Sequence, residues 1–311
     1  MSNISLIIPC YNEEKNINEF YDRTHKTLKK LGLENYEIIF IDDGSTDGSA
    51  EAIEDLAKSN EKVTLIQFYR NYGKSAALSE GFKHCEGDYI VTMDADLQDD
   101  PAEIDNLILK IKEGFDVVSG WKKNRKDPLS KRLPSRLFNF ITRIFTKVKI
   151  HDFNCGLKIY KKSVIKTLDI YGGRHRYIPA LAGQKKFKVS EIIVNHRARI
   201  HGVTKYGGRR FFHGFFDLIS VLFLSKYIQS PLYFFGQIGL FAFLLGFGIE
   251  GYVLYLKYII GEPFAMHIAL LIFGVLLIVI GIQFFSLGLI GEMISNSNQD
   301  KETRIKKIYK A

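Results

Sequence analysis

The chain has 311 residues, 46% apolar and 25% charged, with a formal net charge of +9. This excludes a disordered or collagen-like polypeptide and allows one large domain or two ordinary ones. Three scattered cysteines (Cys10, Cys85, Cys155) give neither a disulfide framework nor metal-type spacing, which fits a reducing compartment, and the positive charge points to nucleic acid, anionic lipid or a phosphorylated substrate.

Ser5-Leu6-Ile7-Ile8 reads as a buried first strand, and the apolar stretch Ile4 to Ile8 is too short for a secretory leader. The loop Pro9-Cys10-Tyr11-Asn12-Glu13-Glu14 follows, with Asn12 as the expected cap of a helix from Glu14 to Leu31. Ile17, Phe20, Tyr21, Thr24 and Leu28 share one side of that helix. A second strand, Tyr36–Ile41, runs into Asp42-Asp43-Gly44-Ser45-Thr46-Asp47-Gly48, and Asp47 or Ser49 is placed to cap a helix reaching Lys58. Val63–Phe68 reads as a third strand. Arg70-Asn71-Tyr72-Gly73-Lys74 then leads into a helix ending near His84.

The fourth strand, Tyr89–Thr92, ends in Met93-Asp94-Ala95-Asp96-Leu97-Gln98-Asp99-Asp100-Pro101. Two carboxylates two residues apart in an extended segment can reach one hard divalent cation, which typically takes its remaining ligands from substrate phosphates. A solvated acidic turn has the same spacing, so the run gains meaning only from its neighbours. Three successive strand ends carry polar, phosphate-compatible loops, and open α/β sheets hold ligands at that edge. Strands alternating with helices predict a parallel sheet with right-handed crossovers. Neither a Gly-x-Gly-x-x-Gly turn nor a P-loop is present, so a bound nucleotide is expected to rest on a metal and side chains.

A helix from Pro101 to Glu113 and a strand over Asp116–Gly120 come next, then the basic run Trp121 to Pro128. From Leu129 to Val148 a helix gathers Leu133, Leu137, Phe140, Ile141, Ile144, Phe145 and Val148 on one face. It fits a membrane-interface helix, or a core helix with a solvated basic face; the apolar runs downstream favour the first. Short strands are expected at Leu157–Tyr160 and Val189–Val194, with basic loops around Arg174-His175-Arg176 and from His196 to Arg210, and a second interfacial helix over 211–227.

Two apolar runs, Leu232–Leu256 and Phe264–Ile290, each exceed the roughly 20 residues that span a bilayer. The basic tail, with Lys301, Arg304, Lys306, Lys307 and Lys310, and Lys226 before the runs place both ends in the cytoplasm. The expected organisation is a cytoplasmic domain over 1–228, a transmembrane pair within 229–293 and a tail over 294–311. Glu250, Gln237 and Gln283 are costly in lipid and are expected to serve helix or subunit packing. Because the basic residues cluster beside membrane-facing segments, lipid explains the charge better than nucleic acid, and no nucleic-acid partner is expected.

A metal-binding acidic loop and cationic loops beside a membrane suggest transfer from a nucleotide-diphosphate donor to a phosphate presented at the bilayer. Pro9-x-Tyr11-Asn12-Glu13, Asp42-Asp43-Gly44-Ser45-Thr46-Asp47, Arg70-Asn71-x-Gly73-Lys74 and Asp94-Ala95-Asp96-Leu97-Gln98-Asp99 resemble, in order, the family 2 glycosyltransferases of GT-A fold. Arg199-x-x-Gly202-x-Thr204-Lys205-Tyr206 followed by two spans resembles the polyprenyl-phosphate branch. The resemblance implies an α/β GT-A, Rossmann-like, mostly parallel sheet and inverting transfer of a sugar from a nucleotide sugar, UDP-glucose preferred over GDP-mannose, to a polyprenyl phosphate. It implies Pro9, Tyr11, Glu13, Asp42, Asp43, Lys74 and Asp94 as donor-site residues, and Asp96 and Gln98 as ligands of Mg²⁺ or Mn²⁺. It implies Arg125 facing sugar and acceptor, Arg199 and Lys205 gripping phosphate, Asp152 as a candidate catalytic carboxylate, and homo-oligomers formed through the spans. Two departures stand out: Asp100 where a proline is common, and Gly173-Arg174 where a carboxylate often precedes the His-Arg pair. A processive polysaccharide synthase is disfavoured, because the only tryptophan is Trp121 and no Gln-x-x-Arg-Trp occurs.

Overall fold

Alternating apolar residues in the first strand feed two different helix layers. The structure is a computed structural model and describes residues 3–123, 135, 139–144, 146–168, 174–195, 197 and 230–297. The chain divides into two units, Met1–Val221 and Leu222–Ala311.

In the first unit the order is β1 (Ile4–Cys10), α1 (Glu14–Lys30), β2 (Tyr36–Asp42), α2 (Ser49–Ser59), β3 (Val63–Gln67), α3 (Lys74–His84), β4 (Tyr89–Thr92), α4 (Glu103–Lys112) and β5 (Val117–Trp121). Then follow β6 (Lys158–Lys161), α5 (Lys162–Ile165), a 3₁₀ turn (Arg174–Tyr177), α6 (Ile178–Gln184) and β7 (Val189–Ile193). Ile4, Leu6 and Ile8 pack with Phe20, Ile53 and Leu107 on one face of the sheet. Ile7, Ile39 and Ile41 pack with Ala77, Leu78 and Ile178 on the other. Burial on both faces is why these strands read as continuous apolar runs, and each fully buried Ile or Leu contributes about 1.5–3 kcal/mol relative to exposure.

The described strands form one sheet of order β3-β2-β1-β4-β6-β5-β7. The mostly parallel sheet expected from sequence is present, with one reversal. β6 runs antiparallel to both β4 and β5, while β5 and β7 are parallel. The chain returns to the carboxyl edge after β5 and enters β6 from that edge, so β6 can only run downward. Its first residue, Lys158, therefore pairs with Thr92, the last of β4. The loop 152–157 is thereby brought to the edge where β1, β2 and β4 end.

Helix starts differ from the capping residues expected. The residue before α1 is Glu13, with no side-chain cap. Asn12 instead takes a left-handed conformation, φ 53°, and its Oδ1 accepts the Thr46 N–H at 2.8 Å, joining the first two loops. Gly48 occupies the cap position of α2, while Asp47 accepts the Ser49 N–H at 3.0 Å. Of the expected interfacial helix over 129–148, residues 139–144 and 146 are helical, whereas 147–150 are not, and Lys147 takes a positive φ of 59°. Phe140 and Ile144 are exposed, but Thr142 is fully buried. The rest of that helix and the one expected over 211–227 lie outside the described residues.

In the second unit, α7 (Pro231–Tyr255) continues as a π-helical turn (Leu256–Ile260) and pairs with α8 (Ile268–Ser297). Both are long and apolar enough to cross a membrane. They approach through glycines seven residues apart: a Cβ on Gly239 would stand 2.7 Å from the Gly281 carbonyl oxygen, and one on Gly246 2.6 Å from that of Gly274. Small residues that let backbones meet this closely replace the hydrophobic drive that lipid removes. Glu250 packs across this seam against Gly274, whereas Gln237 and Gln283 are exposed on the outside of the pair.

Candidate active site at the carboxyl edge

The loops that leave β1 and β2 are stitched together by side chains too short to reach further. Ser45 Oγ accepts the Asn12 N–H at 2.9 Å and Ser49 Oγ accepts the Glu13 N–H at 2.8 Å. Pro9, Tyr11 and Glu13 lie partly exposed along this seam. Asp42 is fully buried and accepts the Ser45 N–H at 3.2 Å, so it shapes the turn from below. Asp43 reaches the other way and accepts the N–H groups of Tyr72 at 2.7 Å and Gly73 at 2.9 Å. Burial lifts the Asp43 carboxyl above its usual value despite those two bonds. Gly44, at φ +69°, lets the β2 loop lie against the next one, since a Cβ there would be 2.6 Å from the Arg70 Cα.

Asp94, two residues beyond β4, is a third exposed and forms an ion pair with Lys74, the first residue of α3. Burial works against its charge, but Lys74, Lys122 and Lys158 outweigh it and hold the carboxyl at about 2. Gly156 makes room for Asp94: a Cβ at Gly156 would be 2.5 Å from Oδ2. The neighbouring Leu97 is buried yet left-handed, φ 60°. A leucine held there costs about 1–3 kcal/mol, and such strain clusters at functional sites. The turn brings Asp96 and Gln98 together, with Asp96 Oδ1 accepting the Gln98 N–H at 3.2 Å.

The remaining carboxylates of the run have cationic partners. Lys122 meets Asp99 at 2.7 Å, where the Asp99 side chain is fully buried. Asp99 is therefore half of a buried ion pair and not merely a helix-start residue as its position suggests. Asp100 does serve the helix start, accepting the Ala102 N–H at 3.1 Å, and also meets Arg197 at 2.6 Å. The Arg197 N–H donates to the Gln98 carbonyl at 3.0 Å, so the segment leaving β7 touches the acidic run two residues before Arg199.

Two residues enter this edge that sequence reasoning did not single out, Lys122 and Lys158, and a third, His175, was named there only as part of a basic loop and a His-Arg pair. Lys122 follows β5 and is almost buried; burial opposes its charge, but Asp99 outweighs this and raises its pKa. Lys158 is buried and donates to the Cys155 carbonyl; burial lowers its pKa and the Lys74 charge adds to that. His175, from the 3₁₀ turn, meets Ser75 of α3 at 2.8 Å through Nδ1. Asp152 is buried beneath the edge, where its Oδ1 accepts the Asn154 N–H at 3.1 Å and its carbonyl accepts the Ser119 hydroxyl at 3.3 Å. Arg125, Arg199 and Lys205 lie outside the described residues.

Asp96 and Gln98 offer hard oxygen donors, and no group of three His, Cys, Asp or Glu among the described residues forms a metal cage. That donor set fits a cation that completes its shell with substrate phosphates.

Residues 5–169 match the family model described as Glycosyl transferase family 2. The chain is 36% identical over 299 residues to the dodecaprenyl-phosphate galacturonate synthase of Rhizobium johnstonii, covering 94% of this chain and 88% of that protein. It is 36% identical over 306 residues to the undecaprenyl-phosphate 4-deoxy-4-formamido-L-arabinose transferase of Shewanella sediminis, covering 97% and 89%. Glucosyl-3-phosphoglycerate synthase of Mycobacterium tuberculosis, solved with Mn²⁺ and UDP-glucose, shares the fold with a TM-score of 0.56 at 18% identity, over 72% of this chain and 79% of that one.

Proposed function

The chain belongs to glycosyl transferase family 2 and is a glycosyltransferase, and from that premise we propose that it moves a sugar from a UDP-linked donor to a polyprenyl phosphate at a membrane surface. The observation that carries this reading is the lysine–carboxylate cluster at the sheet edge, in which Lys74, Lys122 and Lys158 surround Asp94. Such an edge suits a ligand bearing several negative charges. Two chemistries named among the similar proteins, galacturonate and 4-deoxy-4-formamido-L-arabinose on polyprenyl phosphates, support the acceptor class. They also move the expected sugar away from glucose, so UDP-glucose is one of three donors to test.

Asp96 and Gln98 would hold Mg²⁺ or Mn²⁺, which when bound neutralises the diphosphate leaving group. Pro9, Tyr11, Glu13 and Asp43 line the nucleoside side, and the Lys74–Asp94 pair orients the donor between nucleoside and sugar. A phosphate acceptor, with its second pKa near 6, is already largely ionised at neutral pH and needs little help from a base. Asp152, buried within electrostatic reach of Lys158, then serves to balance that lysine. Arg199 and Lys205 grip the acceptor phosphate, and Arg125 faces sugar and acceptor. The domain over 1–228 carries this chemistry on the cytoplasmic face, held by spans over 232–256 and 264–290, and copies associate through the spans.

Arg199→Ala and Lys205→Ala are expected to raise the KM for undecaprenyl phosphate about tenfold or more each, the worth of one charge-assisted hydrogen bond. Slow hydrolysis of the donor without acceptor should stay near the wild-type rate. Steady-state kinetics with both readouts checks this; equal losses in both would assign the loop to the donor.

A further inference from the structure

His175 stands where a basic, glycine-bearing loop returns to the sheet edge, and its surroundings fix it more tightly than a loop histidine requires. Ser75 is 2% exposed and is the second residue of α3, directly after Lys74. Its Oγ accepts the His175 backbone N–H at 3.1 Å and lies 2.8 Å from Nδ1. An oxygen that already accepts the backbone proton has its own hydroxyl hydrogen to give, and Nδ1 is the acceptor beside it. That arrangement leaves the ring proton on Nε2. Nε2 has no protein partner among the described residues, and it is not among the buried polar atoms that lack one. It therefore opens to accessible space. Lys74, Lys158, Arg176 and Asp94 all lie within electrostatic reach of the ring. Burial first, then the Lys74, Arg176 and Lys158 charges, keep the imidazole neutral.

We propose that His175 is a donor-substrate contact, its ring locked by Ser75 so that Nε2–H donates to a sugar oxygen of the bound nucleotide sugar. The proposal rests on the donor-site reading of the Lys74–Asp94 edge. A neutral N–H suits this place because it adds a directed hydrogen bond without another charge beside Lys74. A histidine serving only to join the turn to α3 would use Nδ1 and the backbone alone, and Nε2 would be idle.

The two amide side chains separate these roles, because glutamine places an N–H near the imidazole Nε2 position and asparagine places one near Nδ1. The full chain, purified in detergent, is assayed for UDP affinity with Mn²⁺ and for transfer from UDP-galacturonate, UDP-4-deoxy-4-formamido-L-arabinose and UDP-glucose to undecaprenyl phosphate. His175→Ala is expected to leave UDP affinity within about twofold and to cut kcat/KM for the working donor about tenfold, the worth of one neutral hydrogen bond. His175→Gln should recover most of that loss and His175→Asn should not. Wild-type kinetics in His175→Ala would overturn the proposal, as would recovery by asparagine but not glutamine, or a loss of UDP affinity equal to the loss of transfer. Failure of the wild-type protein to bind UDP with Mn²⁺ would instead overturn the donor-site reading, and the proposal with it.

Discussion

Asp96→Ala is expected to lower sugar transfer about 10³-fold, equivalent to about 4 kcal/mol of lost transition-state stabilisation. Asp94, Asp99 and Asp100 are each paired with a protein cation, Lys74, Lys122 and Arg197 respectively. None of them can take over a metal without breaking an ion pair. Asp96 Oδ1 accepts the Gln98 N–H across the strained Leu97 turn, so the two proposed ligands are held as a unit. Excess EDTA should depress wild-type transfer by a similar factor and leave the residual activity of Asp96→Ala unchanged. Transfer rates with and without chelator, at fixed donor and acceptor, check both statements. Full activity of the variant in EDTA would remove the metal from the reaction.

Lys122→Ala is expected to be the most destabilising substitution at the edge. It leaves the Asp99 carboxylate, fully buried, without its cation, and breaking a buried pair costs about 3–5 kcal/mol. For a unit of this size that corresponds to a melting temperature lower by roughly 6–20 °C. Replacing both partners by apolar residues of similar volume, Lys122→Met with Asp99→Leu, should restore most of the loss, because the penalty comes from the orphaned charge. The Lys122 pKa is raised on folding, so its contribution is complete below the ordinary lysine value of about 10.4 and is lost only above it. The wild-type melting temperature should therefore carry no step from Lys122 between pH 6 and pH 8. A variant that melts with the wild type would show that the stability of the fold does not depend on the Lys122–Asp99 pair.

Among the described residues, the seven strands, the acidic strand ends and the two apolar helices were legible in the sequence because each depends on local pattern: apolar runs, turn residues and length. The reversal of β6 was not. Lys158 to Lys161 has the same local signature in either direction, and only its entry from the carboxyl edge decides it. The capping residues were misplaced for a related reason. Asn12 has the chemistry of a cap, but its oxygen is taken by Thr46, 34 residues away. Lys122 sits in a basic run and Lys158 near two further lysines, so both look solvated in sequence; their burial follows from pairings across the sheet. His175 is tied to Ser75 across 100 residues, a separation no local pattern reports. Asp100, which departs from the family's usual proline, gains a reason only when Arg197 is seen against it.

The central claim is transfer of a sugar from a UDP-linked donor to a polyprenyl phosphate by a metal-dependent site at the sheet edge. The most direct measurement incubates the purified full-length protein in detergent with undecaprenyl phosphate, Mn²⁺ or Mg²⁺ and each of UDP-galacturonate, UDP-4-deoxy-4-formamido-L-arabinose and UDP-glucose, and identifies the lipid product by mass spectrometry. The expected result is one donor giving undecaprenyl monophosphate carrying a single sugar, with UDP released in equal amount and no product in EDTA. Sugar attached to the lipid together with a phosphate from the donor, or a product formed equally well in EDTA, would contradict the account.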